Sequence, residues 1–208
     1  DLWEFTPSTG EWTWVSGGGA TGRLPASYGT LAVPAASNVP GARYGAAGWV
    51  DASGNLWLFG GLGYDATDTS SDLLNDLWMF TPSTGYWTWM GGNTLVRPAN
   101  AGLYGTLGTP NSNNLPGGRL LASTWTDNSG NCWLFGGDGY GASGAPSGAL
   151  NDLWELNPKT LQWTWMGGSD AVNPYGTFGV QGTAAAGNTP GGLYGAFTWV
   201  DGSGNFWL

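Results

Sequence analysis

Residues 43–61 read RYGAAGWVDASGNLWLFGG, and residues 75–90 read NDLWMFTPSTGYWTWM. The same pair of segments recurs over residues 119–166, and its two halves occur separately near the two ends of the sequence. Equivalent tryptophans are spaced by about 75 residues, and a fixed long period with several strands in each unit predicts a propeller or another repeat array. The fold prediction therefore rests on this repeat.

Each unit contains four strand candidates separated by short turns. In the first unit they are predicted at residues 44–50, 56–59, 76–80 and 86–90. Turns rich in Pro, Gly, Ser and Asn between aromatic and β-branched runs are typical of β-hairpins. Because no segment carries a sustained helical period, the sequence predicts an all-β fold of four-stranded antiparallel units.

The side chains are graded in size across a unit. The first strand is lined by Gly and Ala, whereas the fourth strand reads Trp-Thr-Trp in every copy. A sheet that packs radially has little room near the axis and much at the circumference. The gradation therefore favours the blade of a β-propeller.

Four hydrophobic residues followed by Gly-Gly, and then by an aromatic residue and Trp, resemble the Kelch repeat. The matching residues are Gly60, Gly61 and Trp87 in one copy and Gly136, Gly137 and Trp163 in the next. The resemblance implies a propeller of Kelch-type blades, similar to the central domain of galactose-oxidase-like secreted copper enzymes. Those enzymes need imidazole ligands, and this chain has no His. We therefore expect no copper and no other cofactor.

The phase of the repeat predicts one partial propeller over residues 1–208. An outer half blade is expected at 1–15, whole blades at 43–90 and 119–166, and an inner half blade at 193–208. These make about three blades, fewer than the four to eight that close a ring. We therefore expect other copies of the chain or flanking repeats to complete the propeller. Strand edges on the half blades would allow self-assembly.

The composition restricts the partners. The 14 acidic residues exceed the 5 basic ones, for a net charge of −9, which disfavours binding to nucleic acid or to an anionic membrane surface. No apolar run approaches the roughly 18 residues of a membrane helix. The single cysteine, Cys132, excludes an intrachain disulfide framework. Few Lys and many Thr, Ser, Asn and Trp lead us to expect an extracellular or cell-surface location.

Both long connections of a unit are expected on one rim, which we call the long-loop face. Loops on a rigid scaffold commonly carry recognition, so we expect a protein or glycan ligand there. The binding-face candidates are Tyr28, Tyr64, Tyr104, Tyr140 and Tyr175. A repeated Tyr-Gly-Thr motif in the connections between blades also fits a packing role, with Tyr folded onto the neighbouring blade.

The remaining candidates concern metal binding and catalysis. Asp65, Asp68 and Asp72 could bind calcium through carboxylate oxygens, although a solvated acidic loop explains them as well. The absence of His removes the commonest general base, and no catalytic residue is assigned. We predict a non-catalytic interaction or structural module. The alternative is a carbohydrate-binding propeller, and a secreted hydrolase with two loop carboxylates is least favoured.

Overall fold

The computed structural model of the chain describes residues 1–18, 23–67, 71–96 and 100–208. These residues form no helix, and their strands build four antiparallel sheets. The predicted all-β class is confirmed. No helix long and apolar enough to cross a membrane occurs in this part of the chain.

Two of the sheets are small hairpins. The N-terminal hairpin pairs β1 (Leu2–Thr6) with β2 (Glu11–Ser16), and the C-terminal hairpin pairs β13 (Trp199–Val200) with β14 (Phe206–Trp207). Both are antiparallel pairs of neighbouring strands joined by a short turn.

The two larger sheets share one plan, in which two short strands together form the first position and three longer strands follow in sequence order. The first sheet contains β3 (Arg43–Tyr44), β4 (Ala47–Val50), β5 (Leu56–Tyr64), β6 (Ser71–Thr81) and β7 (Tyr86–Gly91). The second sheet contains β8 (Arg119–Leu120), β9 (Ser123–Thr126), β10 (Cys132–Gly139), β11 (Gly148–Asn157) and β12 (Gln162–Gly167).

The first strand position of the first sheet is interrupted between β3 and β4, so the prediction of one continuous strand over residues 44–50 is wrong. Gly45 has a φ of 67°, which turns the chain away from an extended path. Its carbonyl accepts a hydrogen bond from the amide of Leu121 in the second sheet at 2.7 Å. The break therefore links the first strand positions of the two sheets.

The second strand, β5, runs past the predicted end at residue 59. A register shift between Phe59 and Gly61 marks a bulge at the double glycine, and pairing with β6 resumes beyond it. Gly60 has a φ of 66°, and a methyl group there would lie 2.7 Å from the Arg119 carbonyl oxygen. The double glycine thus permits a positive φ and a close approach of the second sheet.

The core lies between the sheets. Trp49 and Phe59 of the first sheet contact Trp163 of the second, with ring centroids 6.3 and 5.4 Å apart. A second cluster, around Trp78 and Trp87, packs the first sheet against residues of the N-terminal hairpin. Each larger sheet is therefore buried on a face that a neighbouring sheet covers.

The segments that precede the larger sheets cover the edges formed by their last strands, β7 and β12. Before the first sheet, the Ala32 amide donates to the Trp89 carbonyl at 2.8 Å, and the Asn38 side chain donates to the Trp87 carbonyl at 3.0 Å. Gly108 and Asn114 make the equivalent contacts to β12. An uncovered edge strand invites pairing with other chains, so these segments protect β7 and β12.

Candidate functional site

A buried carboxylate lies at the same place in both larger sheets. In the second sheet, Asp152 of β11 is fully buried and faces Arg119 of β8, whose exposed fraction is 1%. The guanidinium bonds both carboxylate oxygens, at 2.6 and 2.8 Å. This bidentate geometry is the strongest form of an Arg–carboxylate contact.

Two further donors complete what we call the carboxylate cluster. The Tyr104 hydroxyl and the Trp154 indole nitrogen each donate to Asp152 Oδ2, both at 2.7 Å. The first sheet repeats the arrangement with Asp76 bonded by Arg43, Tyr28 and Trp78. The four members are therefore Arg43, Asp76, Tyr28 and Trp78 in the first sheet, and Arg119, Asp152, Tyr104 and Trp154 in the second.

The electrostatics of the cluster are those of a stable ion pair. Burial by itself would lower the pKa of the Arg119 guanidinium, but the charge of Asp152 and its hydrogen bond raise that pKa above its usual value. Burial and the same carboxylate raise the pKa of the Tyr104 hydroxyl well above its usual range. The carboxylate accepts four hydrogen bonds and has no exposed surface. It is therefore not available to accept a proton from a substrate.

Tyr28 and Tyr104 are members of this cluster, so the expectation that they are exposed binding-face residues is wrong. Each is only 6% exposed. The Tyr28 ring stacks on Trp78 with centroids 5.0 Å apart, and its hydroxyl satisfies Asp76 at 2.9 Å. The packing role that the repeated loop also suggested is confirmed for these two tyrosines.

Tyr175 has a different environment, because the third copy of the connecting segment is shifted in register. The bridges Ser27–Val39, Leu103–Leu115 and Thr177–Thr189 are equivalent, which places Phe178 at the position of Tyr28 and Tyr104. Tyr175 itself is 97% exposed. The sequence alignment of its Tyr-Gly-Thr motif with the other two copies is therefore wrong by three residues.

Tyr64 and Tyr140 occupy equivalent positions at the ends of β5 and β10, and both are partly buried. The Tyr140 hydroxyl donates to Asp72 Oδ1 at 2.9 Å, which joins the second sheet to the first. Burial, together with that carboxylate, raises the pKa of Tyr140 to about 12. The Arg23 guanidinium lies 5.8 Å from the centre of the Tyr64 ring. Tyr140 is thus hydrogen-bonded to Asp72, whereas the Tyr64 ring lies under the Arg23 guanidinium.

Asp65 of the acidic loop holds the backbone of its own and of a distant segment in place. Asp65 is 3% exposed and accepts hydrogen bonds from the amides of Thr67 and Val96, at 2.7 and 3.0 Å. Asp68 lies outside the described residues. Within the described ranges, no group of three or more His, Cys, Asp or Glu side chains is arranged to hold a metal ion.

A second set of repeated carboxylates was missed from the sequence. Asp51, Asp127 and Asp201 each open the turn of a hairpin, joining β4 to β5, β9 to β10 and β13 to β14. Each carboxylate accepts hydrogen bonds from two turn amides, an Asn side chain and a Trp indole. Burial works to raise the pKa of Asp51, but these hydrogen bonds, led by that of Trp57, lower it below the usual value. An Asp six residues before a Trp in every copy was the available sign.

The Asp at the centre of the cluster also had a sign in the sequence. Asp1, Asp76 and Asp152 each precede a Trp by two residues, and each accepts a hydrogen bond from that indole nitrogen at 2.7 or 2.8 Å. A short polar residue at a fixed offset from a Trp in every copy indicates a shared bond.

Comparison with known proteins gives limited information. No family model matches the chain, and no curated protein matches it. Among the solved structures that are similar is that of YjhT, with 20% sequence identity and a TM-score of 0.45. That match covers 64% of this chain and 40% of YjhT, so the chain spans well under two thirds of its length.

Proposed function

We propose that the chain is a non-catalytic interaction or structural module of an extracellular or cell-surface protein, built from Kelch-type blades of a β-propeller. The observation that carries the proposal is the use of the repeated polar residues. Asp76 and Asp152 are fully buried, and their carboxylate oxygens accept hydrogen bonds from Arg, Tyr and Trp of their own repeat. The polar residues that recur in the repeat therefore make contacts within the chain and do not line an open reaction site.

Three further features support the propeller. The first strands of neighbouring sheets touch through their backbones, where the Leu121 amide donates to the Gly45 carbonyl. Trp163 of the fourth strand β12 fills the space between the two larger sheets, where it contacts Trp49 and Phe59 of the first sheet. The outer edges of β7 and β12 are covered by the preceding connections. On this proposal further blades, supplied by repeats of the same kind, complete the ring.

The other acidic side chains give no support to hydrolysis. The Glu155 carboxylate is held by the side chain of Asn131 at 2.7 Å. Burial, with a smaller effect of the Asp127 charge, raises the pKa of Glu155. A glycosidase needs two carboxylates facing each other across a substrate cleft. Glu155 instead lies beside the Asp127 turn, whose carboxylate is already bonded to Trp133 and Asn131.

The test measures turnover on the purified chain with chromogenic glycoside, ester and peptide substrates. We expect none, and we expect small-angle X-ray scattering to fit sheets arranged as sectors about one axis. Turnover that a single Asp72→Asn or Glu155→Gln substitution abolishes, with an unchanged circular dichroism spectrum, would contradict the non-catalytic role. A scattering curve that fits only a flat two-layer sandwich would contradict the propeller.

Glycan binding is the second candidate function. Tyr64 and Tyr140 lie at equivalent positions of adjacent sheets, and both keep part of their surface exposed on the long-loop face. Aromatic rings at a regular spacing can stack on successive sugars. A glycan array would then give a ligand whose binding falls at least tenfold in Tyr64→Ala and Tyr140→Ala. Tyr86→Ala, at the start of β7 on the opposite rim, is the matched control and should bind unchanged.

A further inference from the structure

The C-terminal part of the chain carries the carboxylate cluster in an altered form. Equivalent bridges place Phe178 where the two larger sheets have Tyr28 and Tyr104. Leu193 stands where they have Arg43 and Arg119, two residues after the Gly of the same Pro-Gly pair. In this copy, apolar side chains therefore replace both the Arg guanidinium and the Tyr hydroxyl that bond the carboxylate in the other two copies.

Both replaced side chains would contact the same carboxylate. In the complete sheets, the Tyr hydroxyl and the Arg guanidinium meet at the Asp76 or Asp152 carboxylate, which the third strand of the sheet contributes. A carboxylate buried there without a counter-charge or a hydroxyl donor is strongly unfavourable, because desolvation is not offset. Phe178 and Leu193 therefore match a third strand with an uncharged residue at the Asp position.

The surface around these residues is exposed and apolar. Phe178 is 82% exposed and Trp207 is 57% exposed, whereas their counterparts Tyr28 and Trp57 are 6% and 3% exposed. Within the described residues, β14 pairs with β13 alone. We call β14 together with Phe178 and Leu193 the C-terminal edge. Its open side is where a third and a fourth strand lie in the larger sheets.

The chain's own N-terminal hairpin presents the wrong residue to this edge. Asp1 bonds the Trp3 indole at 2.7 Å, as Asp76 bonds Trp78, so Asp1 holds the position of the cluster carboxylate. If this hairpin docked on the C-terminal edge of a second copy, its carboxylate would face Phe178 and Leu193. Neither side chain can donate a hydrogen bond. Self-assembly by this route, which the sequence suggested, is chemically mismatched.

We propose that the C-terminal edge binds a two-stranded antiparallel β-hairpin of the same repeat type, with an aromatic residue at the Trp78 position and an apolar residue at the Asp76 position. The aromatic ring stacks on Phe178 as Trp78 stacks on Tyr28. The apolar residue packs on Leu193. The inference rests on the proposed repeat architecture and adds to it the identity of the matching partner.

The test supplies the hairpin in the same polypeptide. A second copy of residues 59–91 is placed after Leu208, because Leu208 corresponds to Leu58 in the repeat. One extension keeps the native sequence, and the other carries Asp76→Leu in the added copy. Each is joined to the wild-type chain and to a Phe178→Tyr/Leu193→Arg chain. The thermal midpoints of all four proteins are compared with those of the two unextended chains.

On the wild-type chain, we expect the Asp76→Leu extension to raise the midpoint by about 5 °C more than the native extension. On the Phe178→Tyr/Leu193→Arg chain, we expect the preference to reverse. Equal stabilisation by both extensions on both chains would overturn the matching rule and leave the repeat architecture standing. If neither extension changes the midpoint, the edge does not take a hairpin, and the architecture fails with it.

Discussion

Two hairpins of closely similar sequence occur in different environments. Residues 2–16 read LWEFTPSTGEWTWVS and residues 77–91 read LWMFTPSTGYWTWMG. In the first sheet, Trp78 is fully buried and Trp87 is 8% exposed, whereas the matching Trp3 and Trp12 of the N-terminal hairpin are 50% and 66% exposed.

Both hairpins keep the turn and the Asp–Trp bond, although only one has the surrounding sheet. Thr6 and Thr81 each accept the closing hydrogen bond of the turn, from Gly10 and Gly85, at 2.8 and 2.9 Å. Only Asp76 also has Arg43 and Tyr28 as partners. The turn and the indole bond are therefore local properties, while the rest of the cluster depends on strands and segments distant in sequence.

The largest expected difference between the two environments is at the carboxylate. Asp152→Asn removes the charge that pairs with the buried Arg119, and breaking a buried pair costs about 3–5 kcal/mol. Asp1→Asn, at the equivalent exposed position, should change the free energy of unfolding by less than about 0.5 kcal/mol. Urea unfolding followed by tryptophan fluorescence measures both. Equal losses would mean that the ion pair contributes nothing beyond the indole bond.

The next difference concerns two glycines with the same backbone conformation. Gly10 and Gly60 have φ values of 74° and 66°, so Ala is strained at either one. A methyl group at Gly10 meets no atom within 4 Å, but at Gly60 it meets the Arg119 carbonyl oxygen at 2.7 Å. Strain alone costs about 1–2 kcal/mol, and overpacking against backbone adds about 1–3 kcal/mol.

Gly60→Ala should therefore lower the free energy of unfolding by about 1–3 kcal/mol more than Gly10→Ala does, as measured by urea unfolding. If the two losses are the same, the close approach of the second sheet at Gly60 is not a constraint on this position.

The features that the sequence predicted are those encoded within a few residues. The turns after Thr6 and Thr81 and the alternating strands follow from short-range patterns, so strand order within a unit was predictable. The tyrosine roles were not, because Tyr28 and Tyr104 meet their carboxylates 48 positions away. A Tyr in a loop of Gly, Thr and Pro has the same local pattern whether it packs inward or faces a ligand. The register of Tyr175 likewise depended on distant bridges.

Removal of the tyrosine hydroxyl gives a smaller effect. Tyr104→Phe keeps the ring on Trp154 and removes one donor to Asp152, and a hydrogen bond to a charged group contributes about 1.5–3 kcal/mol. Tyr175→Phe, at a side chain that is 97% exposed, should leave stability unchanged. Thermal and urea unfolding provide the measurement. If Tyr104→Phe leaves the stability unchanged, a Phe at this position tolerates the Asp opposite it. Phe178 alone would then not indicate a different partner strand.

The smallest effect is a loss of stability in acid. It arises from the turn carboxylates of Asp51, Asp127 and Asp201. Hydrogen bonds led by those of Trp57 and Trp133 lower the pKa of Asp51 and Asp127 against the opposing effect of burial. Hydrogen bonds from Asn205 and Trp207 lower the pKa of Asp201, which is fully exposed. A group with a lowered folded-state pKa stabilises the fold above its unfolded pKa, which is 3.8 for Asp. That stabilisation is lost as the pH falls through the folded-state pKa.

We therefore expect the thermal midpoint to be flat above about pH 5 and to fall below about pH 4. Asp51→Asn should lower the midpoint at pH 7 by about 2 °C and should make the decline in acid shallower, because one of the groups that must be protonated is gone. Asp138→Asn, a change of the same charge away from the turns, is the control and should keep the wild-type slope. An acid decline of equal slope in all three proteins would assign the loss to net charge. A shallower slope in Asp51→Asn alone would assign it to the turn, a local structure that the hairpin retains both inside a complete sheet and at its exposed edge.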